Sequence, residues 1–206
     1  MSLASYDLDT DLSAVNSVLG AIGQSPVTKL EYDNPEISFI VNILNETNRD
    51  VQNEGWVYNL EEHYPLKPDV NGDYIVPENI LRMDICDGWR DRRLNLITRQ
   101  GKLYDKNSHS YNFADGVLYF DIVWLYEFWE LPNVFKRYII SKASTRAATQ
   151  LVGNPELAKM LSTQESFARA ACVEYECNQG NFTMLQNPNG TTSTSYMPYQ
   201  GLDRLV

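Results

Sequence analysis

Three pairs of carboxylates stand close together in this 206-residue chain: Glu61-Glu62, Asp69 with Asp73, and Asp84 with Asp87. Two such groups flanking a glycosidic bond, about 5 to 9.5 Å apart, would provide a general acid together with a base or nucleophile. Trp56, Tyr58 and Trp89 lie near them in sequence and offer ring faces on which a sugar could stack. Glycoside hydrolysis is therefore one reading. The plainer reading is compositional: with 27 Asp and Glu in the chain, carboxylates beside aromatics arise without catalysis, as solvated faces and turns.

Other chemistry has less support. His63 and His109 are the only histidines, and neither begins a metal motif. The sequence has no Cys-x-x-Cys pair, His-Glu-x-x-His helix or Asp-rich calcium loop, so no metal ligand set is read from it. It also lacks a dinucleotide fingerprint, a phosphate-binding loop and a nucleophile elbow, and no cofactor is expected. Cys86, Cys172 and Cys177 do not form a disulfide framework.

Arg90-Asp91-Arg92-Arg93 is the one dense basic cluster. It suits a phosphate or an acidic neighbour, or else a turn whose charges pair with Asp84, Asp87 and Asp91. Beyond Gly180 the chain turns Asn-, Gly-, Ser- and Thr-rich, yet Phe182, Tyr196 and Tyr199 punctuate it. Such a segment has too little apolar surface to order alone: it reads either as a frayed terminus or, through its aromatics, as an arm that orders on a partner. Arg90, Arg92, Arg93, Phe182, Tyr196 and Tyr199 are accordingly the candidate partner-binding residues.

The charge narrows the choice of partner. With 17 Lys and Arg against 27 Asp and Glu, the formal charge is −10. Such a surface repels nucleic acid instead of gripping it, although it could line a passage through which DNA slides. No apolar run approaches the roughly 20 residues that span a bilayer, and synthesis in the cytosol is expected.

The elements that must position these residues form separate runs. Asp11 to Ile22 carries Leu12, Val15, Leu19 and Ile22 at helical spacing, and Asn34-Pro35 caps a second helix running towards Gly55. From Trp56 to Trp124 apolar runs shorten. Strands are predicted at 80–85, 94–98, 102–105 and 117–124, with turns at Gln100-Gly101 and Asp115-Gly116. Asn71-Gly72 is predicted to close an edge hairpin between 65–68 and 74–77 through a type I′ turn. Trp124, Tyr126, Phe128 and Trp129 then mark a sheet-to-helix junction, as core or as subunit interface.

Residues 132–179 read as a helical hairpin broken at Val152-Gly153-Asn154-Pro155. One arm carries Phe135, Ile139, Ala143, Ala147 and Leu151, the other Leu157, Leu161, Ala168, Ala171 and Tyr175. The expected fold is α+β: N- and C-terminal helix pairs close into a four-helix bundle, with an antiparallel β-rich subdomain inserted between them. The expected boundaries are 1–55, 56–130, 131–180, and a C-terminal arm at 181–206.

Many short stretches match one known family in the right order. They include Leu12-Ser13-Ala14-Val15-Asn16, Gly23-Gln24-Ser25-Pro26-Val27, Gly55-Trp56-Val57-Tyr58-Asn59-Leu60-Glu61-Glu62 and Tyr74-Ile75-Val76-Pro77. Leu103-Tyr104-Asp105, Leu131-Pro132, Tyr138-Ile139-Ile140-Ser141-Lys142-Ala143-Ser144, Gly153-Asn154-Pro155-Glu156 and Glu174-Tyr175-Glu176 continue the pattern. In these residues the chain resembles the tail tubular protein A family of short-tailed bacteriophages. The resemblance implies a head-to-tail adaptor in the virion, a structural protein and not an enzyme. It would form a ring of twelve copies between the portal and the nozzle protein, tail tubular protein B, around a channel through which genome DNA passes. The catalytic alternative becomes a tail-associated glycosidase acting on host envelope polysaccharide.

Overall fold

Helix boundaries follow from local capping. In the computed structural model, which describes residues 10–86, 94–112 and 116–180, helix α1 spans Asp11–Ala21. The Thr10 side chain accepts the Ser13 N–H at its start. Asn16 on α1 holds the Val27 peptide at both ends, donating to its carbonyl (2.9 Å) and accepting its N–H (2.7 Å). Helix α2 spans Pro35–Gln52, with Asn34 Oδ1 accepting the Glu36 N–H and Pro35 sitting where a missing N–H does no harm. Helix α3 spans Asn133–Ala147 and α4 spans Pro155–Gly180. Between them Gly153 takes the left-handed conformation (φ 65°), and Asn154 Oδ1 accepts the N–H groups of Glu156 and Leu157.

The hairpin hides one feature that the spacing does not announce. Ala148–Val152 form a π-helical turn, closed by the Gly153 N–H donating to the Ala148 carbonyl. The wider turn rotates the chain. Leu151, expected on the buried stripe, is 43% exposed, whereas Phe135, Ile139, Ala143 and Ala147 are fully buried. On α4 the stripe is also shifted: Ala171 is exposed and its neighbour Cys172 is buried.

Helix α3 packs against α1, α2 and α4. Around it gathers one apolar core, with Val15, Val18 and Leu19 of α1, Ile40, Leu44 and Val51 of α2, and Leu161 and Cys172 of α4. Trp56, Phe128 and Leu131 join it from the connections. The three alanines Ala143, Ala147 and Ala148 have no exposed surface, which fits close approach of neighbouring backbones.

The strands among the described residues are β1 Leu60–Leu66, β2 Ile80–Ile85, β3 Leu96–Arg99, β4 Lys102–Asp105 and β5 Leu118–Trp124. They form an antiparallel sheet in the order β1-β5-β2 and a separate β3-β4 hairpin. Leu66, Tyr74, Val76, Leu103, Leu118, Phe120 and Ile122 make a second core. The architecture is thus α+β.

Two strand expectations are corrected. Residues 65–68 do not pair with 74–77: Pro65 and Leu66 lie opposite Tyr119 and Leu118, while the Tyr74 carbonyl accepts the Leu103 N–H and the Val76 N–H donates to Gly101. The chain does reverse at Asp69–Asp73, but only Gly72 there has positive φ, so the loop is not type I′. That geometry is found instead at Gln100-Gly101 (φ 53° and 71°), between β3 and β4.

The helical and sheet cores are joined by buried amides. Gln52 Nε2 donates to the Tyr126 carbonyl at 2.9 Å, and Gln52 Oε1 accepts the Tyr126 N–H at 2.8 Å. Asn59 Nδ2 donates to the carbonyls of Gln52 (2.8 Å) and Trp124 (2.9 Å), and its Oδ1 accepts the Trp56 N–H (2.8 Å). Both side chains are almost wholly removed from solvent. The end of α2, the entry to β1 and the exit of β5 are thereby held in one arrangement.

Candidate functional site

The six residues singled out for partner binding, Arg90, Arg92, Arg93, Phe182, Tyr196 and Tyr199, fall outside the described residues, as do Asp87 and Trp89. The remaining carboxylates can be placed. Glu61 accepts a hydrogen bond from Trp124 Nε1 at 2.9 Å, and Asp73 pairs with Lys102 at 2.6 Å. Cavities of about 420, 200 and 90 Å³ are among those that open between the described residues, and each of these three has a single carboxylate in its lining: Glu78, Asp84 and Asp11. None of the three presents the two opposed acids that glycoside hydrolysis needs.

What the sheet does assemble was not legible as a motif. Strand β1 has a bulge between Glu61 and Tyr64, where His63 is held at φ 59°. The bulge sets His63 opposite Asp121 of the central strand β5, and the His63 N–H donates to Asp121 Oδ1 at 3.1 Å. Cys86, just past β2, adds its thiol: Sγ donates to Asp121 Oδ1 at 2.7 Å and lies 3.4 Å from His63 Nδ1. A cysteine and a histidine in contact suggest a nucleophile and its base. The thiol, however, is pushed up to about 12, first by burial and then by its hydrogen bond to Asp121. It is therefore protonated at neutral pH, the opposite of an activated thiolate.

The other conspicuous surface is α4. Its 26 residues run for roughly 39 Å, yet only Leu161 and Cys172 are buried along it, with Leu157, Ala168 and Tyr175 half-buried beside the core. Arg169 fastens the helix through Glu54 (3.0 Å) and the Tyr138 hydroxyl (2.9 Å), and Glu176 Oε1 accepts the Val57 N–H at 2.7 Å. On another face Met160 is 65% exposed and Phe167 73%. Seven residues apart, they share one side of the helix. Trp129, the last of the junction aromatics, is also exposed, whereas Phe128 is core.

Glu176 is an uneasy fastening. Its Oε2 and the Tyr58 hydroxyl are buried without a hydrogen-bond partner among the described residues. Burial raises the Glu176 carboxyl above its ordinary value of 4.5, against the lowering effect of the Val57 N–H. An acid raised on folding penalises the native state once ionised: the penalty is absent at low pH and sets in as pH rises through the ordinary value. Glu176→Gln keeps an acceptor for Val57 and removes the charge. The variant should melt above the wild type at neutral pH, with the difference shrinking towards pH 4, when Tm is followed from about pH 4 to 8.

No described helix is long and apolar enough to cross a membrane. No curated protein matches the chain. The profile of one family, described as tail tubular protein, matches residues 12–182, a stretch that takes in helices α1 to α4 and strands β1 to β5 almost entirely. The chain belongs to the tail tubular protein family, structural components of bacteriophage tails.

Proposed function

We propose that this chain is the head-to-tail adaptor of a short-tailed bacteriophage, a ring of twelve copies seated between the portal and the nozzle protein, tail tubular protein B. The observation that carries the reading is the family match over residues 12–182. Charge supports it: twelve copies of a −10 chain make an acidic wall past which DNA moves without a phosphate grip. In this reading the two helix pairs, 1–55 and 131–180, act as one bundle that forms the ring wall. The β-rich subdomain, 56–130, and the C-terminal arm, 181–206, meet the rings above and below. Phe182, Tyr196 and Tyr199 serve the arm's docking, and Arg90, Arg92 and Arg93 serve an interface or channel contact.

A closed ring needs a heterologous contact, in which one face of each copy meets a different face of the next. The exposed side of α4 with Met160 and Phe167 is our choice for one half of it, because burying each such side chain contributes about 1.5–3 kcal/mol. Met160→Lys with Phe167→Lys tests this. Both side chains are solvent-exposed, so each change should alter monomer stability by only about 0.5 kcal/mol. Ring formation on the cognate portal, followed by light scattering, should fall at least tenfold. Undiminished assembly would remove α4 from the ring contact.

A further inference from the structure

We propose that His63, Cys86 and Asp121 form a binding site for a borderline divalent metal ion, zinc above all. The three donors come from the bulge in β1, the end of β2 and the central strand β5, so that tertiary structure alone brings them together. One ligand atom from each lies within 4.8 Å of the others. A tetrahedral ion with metal–ligand bonds of about 2.0–2.3 Å requires its ligands about 3.3–3.8 Å apart. The Cys86 Sγ–His63 Nδ1 distance of 3.4 Å already lies in that range, and the 2.7 Å thiol–carboxylate contact has to lengthen, as it does once the thiol proton that holds it is lost.

The donor types choose the metal. One sulfur, one imidazole nitrogen and one carboxylate oxygen suit zinc and disfavour calcium or magnesium, which prefer oxygen throughout. Three protein ligands leave one position for water, which the exposed His63 ring and half-buried Cys86 and Asp121 allow. Binding balances simply: the thiol releases one proton to solvent and the thiolate takes up the ion.

Two features of the sheet are otherwise unfavourable. Asp84 stands directly opposite Asp121 in the β2–β5 register, and like charges so placed repel. Histidine also occupies a positive-φ position that glycine would fill with less strain. A cation bound here relieves the first and gives the imidazole at the second a purpose.

The test uses the full chain freed of metal by a chelator and titrated with Co²⁺, then with Zn²⁺. One equivalent of Co²⁺ should produce a thiolate-to-cobalt charge-transfer band, which one equivalent of Zn²⁺ abolishes. Cys86→Ser should remove the band and weaken Zn²⁺ binding at least tenfold, while Cys177→Ser leaves both unchanged. Zn²⁺ at a hundredfold excess over Kd should raise Tm by roughly 5–10 °C. His63→Gly should raise the Tm of the metal-free protein and lose the further rise with Zn²⁺. Absence of one-to-one binding, a band that survives Cys86→Ser, or a full Zn²⁺ response in His63→Gly would each overturn the site.

Discussion

Phe135→Ala is expected to destabilise this chain by about 3–5 kcal/mol. Phe135 has no exposed surface, and its ring meets Trp56 at 4.9 Å, Tyr58 at 4.5 Å and Tyr175 at 5.9 Å between centroids. These partners come from the α2–β1 connection and from α4, so one side chain on α3 holds together segments far apart in sequence. Truncation forfeits transfer free energy and several ring contacts, each worth about 0.5–1.5 kcal/mol, and opens a space that three rigid rings cannot easily fill. A urea titration followed by circular dichroism measures the loss. A shift below about 1.5 kcal/mol would show that the site collapses freely and that Phe135 does not organise the helical core.

Gln52→Leu is expected to cost about 2–4 kcal/mol for a different reason. Leucine fills similar space but leaves the Tyr126 N–H and carbonyl without the partner that now satisfies both. Each buried polar group so orphaned is worth about 1–3 kcal/mol. Gln52→Glu separates hydrogen bonding from packing. A carboxylate still accepts the Tyr126 N–H but cannot donate to its carbonyl, whereas the protonated acid can. That variant should therefore be less stable than wild type at neutral pH and recover part of the loss on mild acidification. Equal loss at all pH values would point to packing alone.

The features legible in the sequence were those whose physics is local. Asn34-Pro35 and Gly153-Asn154-Pro155 mark helix starts because the cap, the proline and the left-handed glycine act within a few residues, and the structure has them in those roles. Strands at 80–85 and 102–105 were readable from short β-branched and aromatic runs between turns. Partner choice among strands was not, because it depends on distant residues. Asn71-Gly72 carries a strong hairpin signal, yet the flanking segments pair elsewhere and Gln100-Gly101 adopts the type I′ geometry. The strand at 60–66 was hidden by its polar composition and by the bulge at His63.

The same distinction explains the sites. His63, Cys86 and Asp121 are separated by 23 and 35 residues, and no spacing rule joins them until the strand register is known. Without the bulge, the register that pairs Glu61 with Ile122 would set Glu62 opposite Asp121, and only the extra residue between Glu61 and Tyr64 brings His63 to that position. On the exterior of α4, Met160 and Phe167 lie outside the apolar stripe that faces the core, and only the tertiary structure shows them exposed together. The π turn and the one-residue shift from Ala171 to Cys172 are tertiary outcomes, since no helix breaker marks Ala148–Val152.

The claim that this chain builds a ring on a portal is tested most directly by solution mass, measured by size exclusion with light scattering, alone and after mixing with the cognate portal ring. The prediction is a chain that adds about twelve copies to each portal, in keeping with a closed heterologous ring. A chain that stays monomeric and leaves the portal's mass unchanged would contradict it.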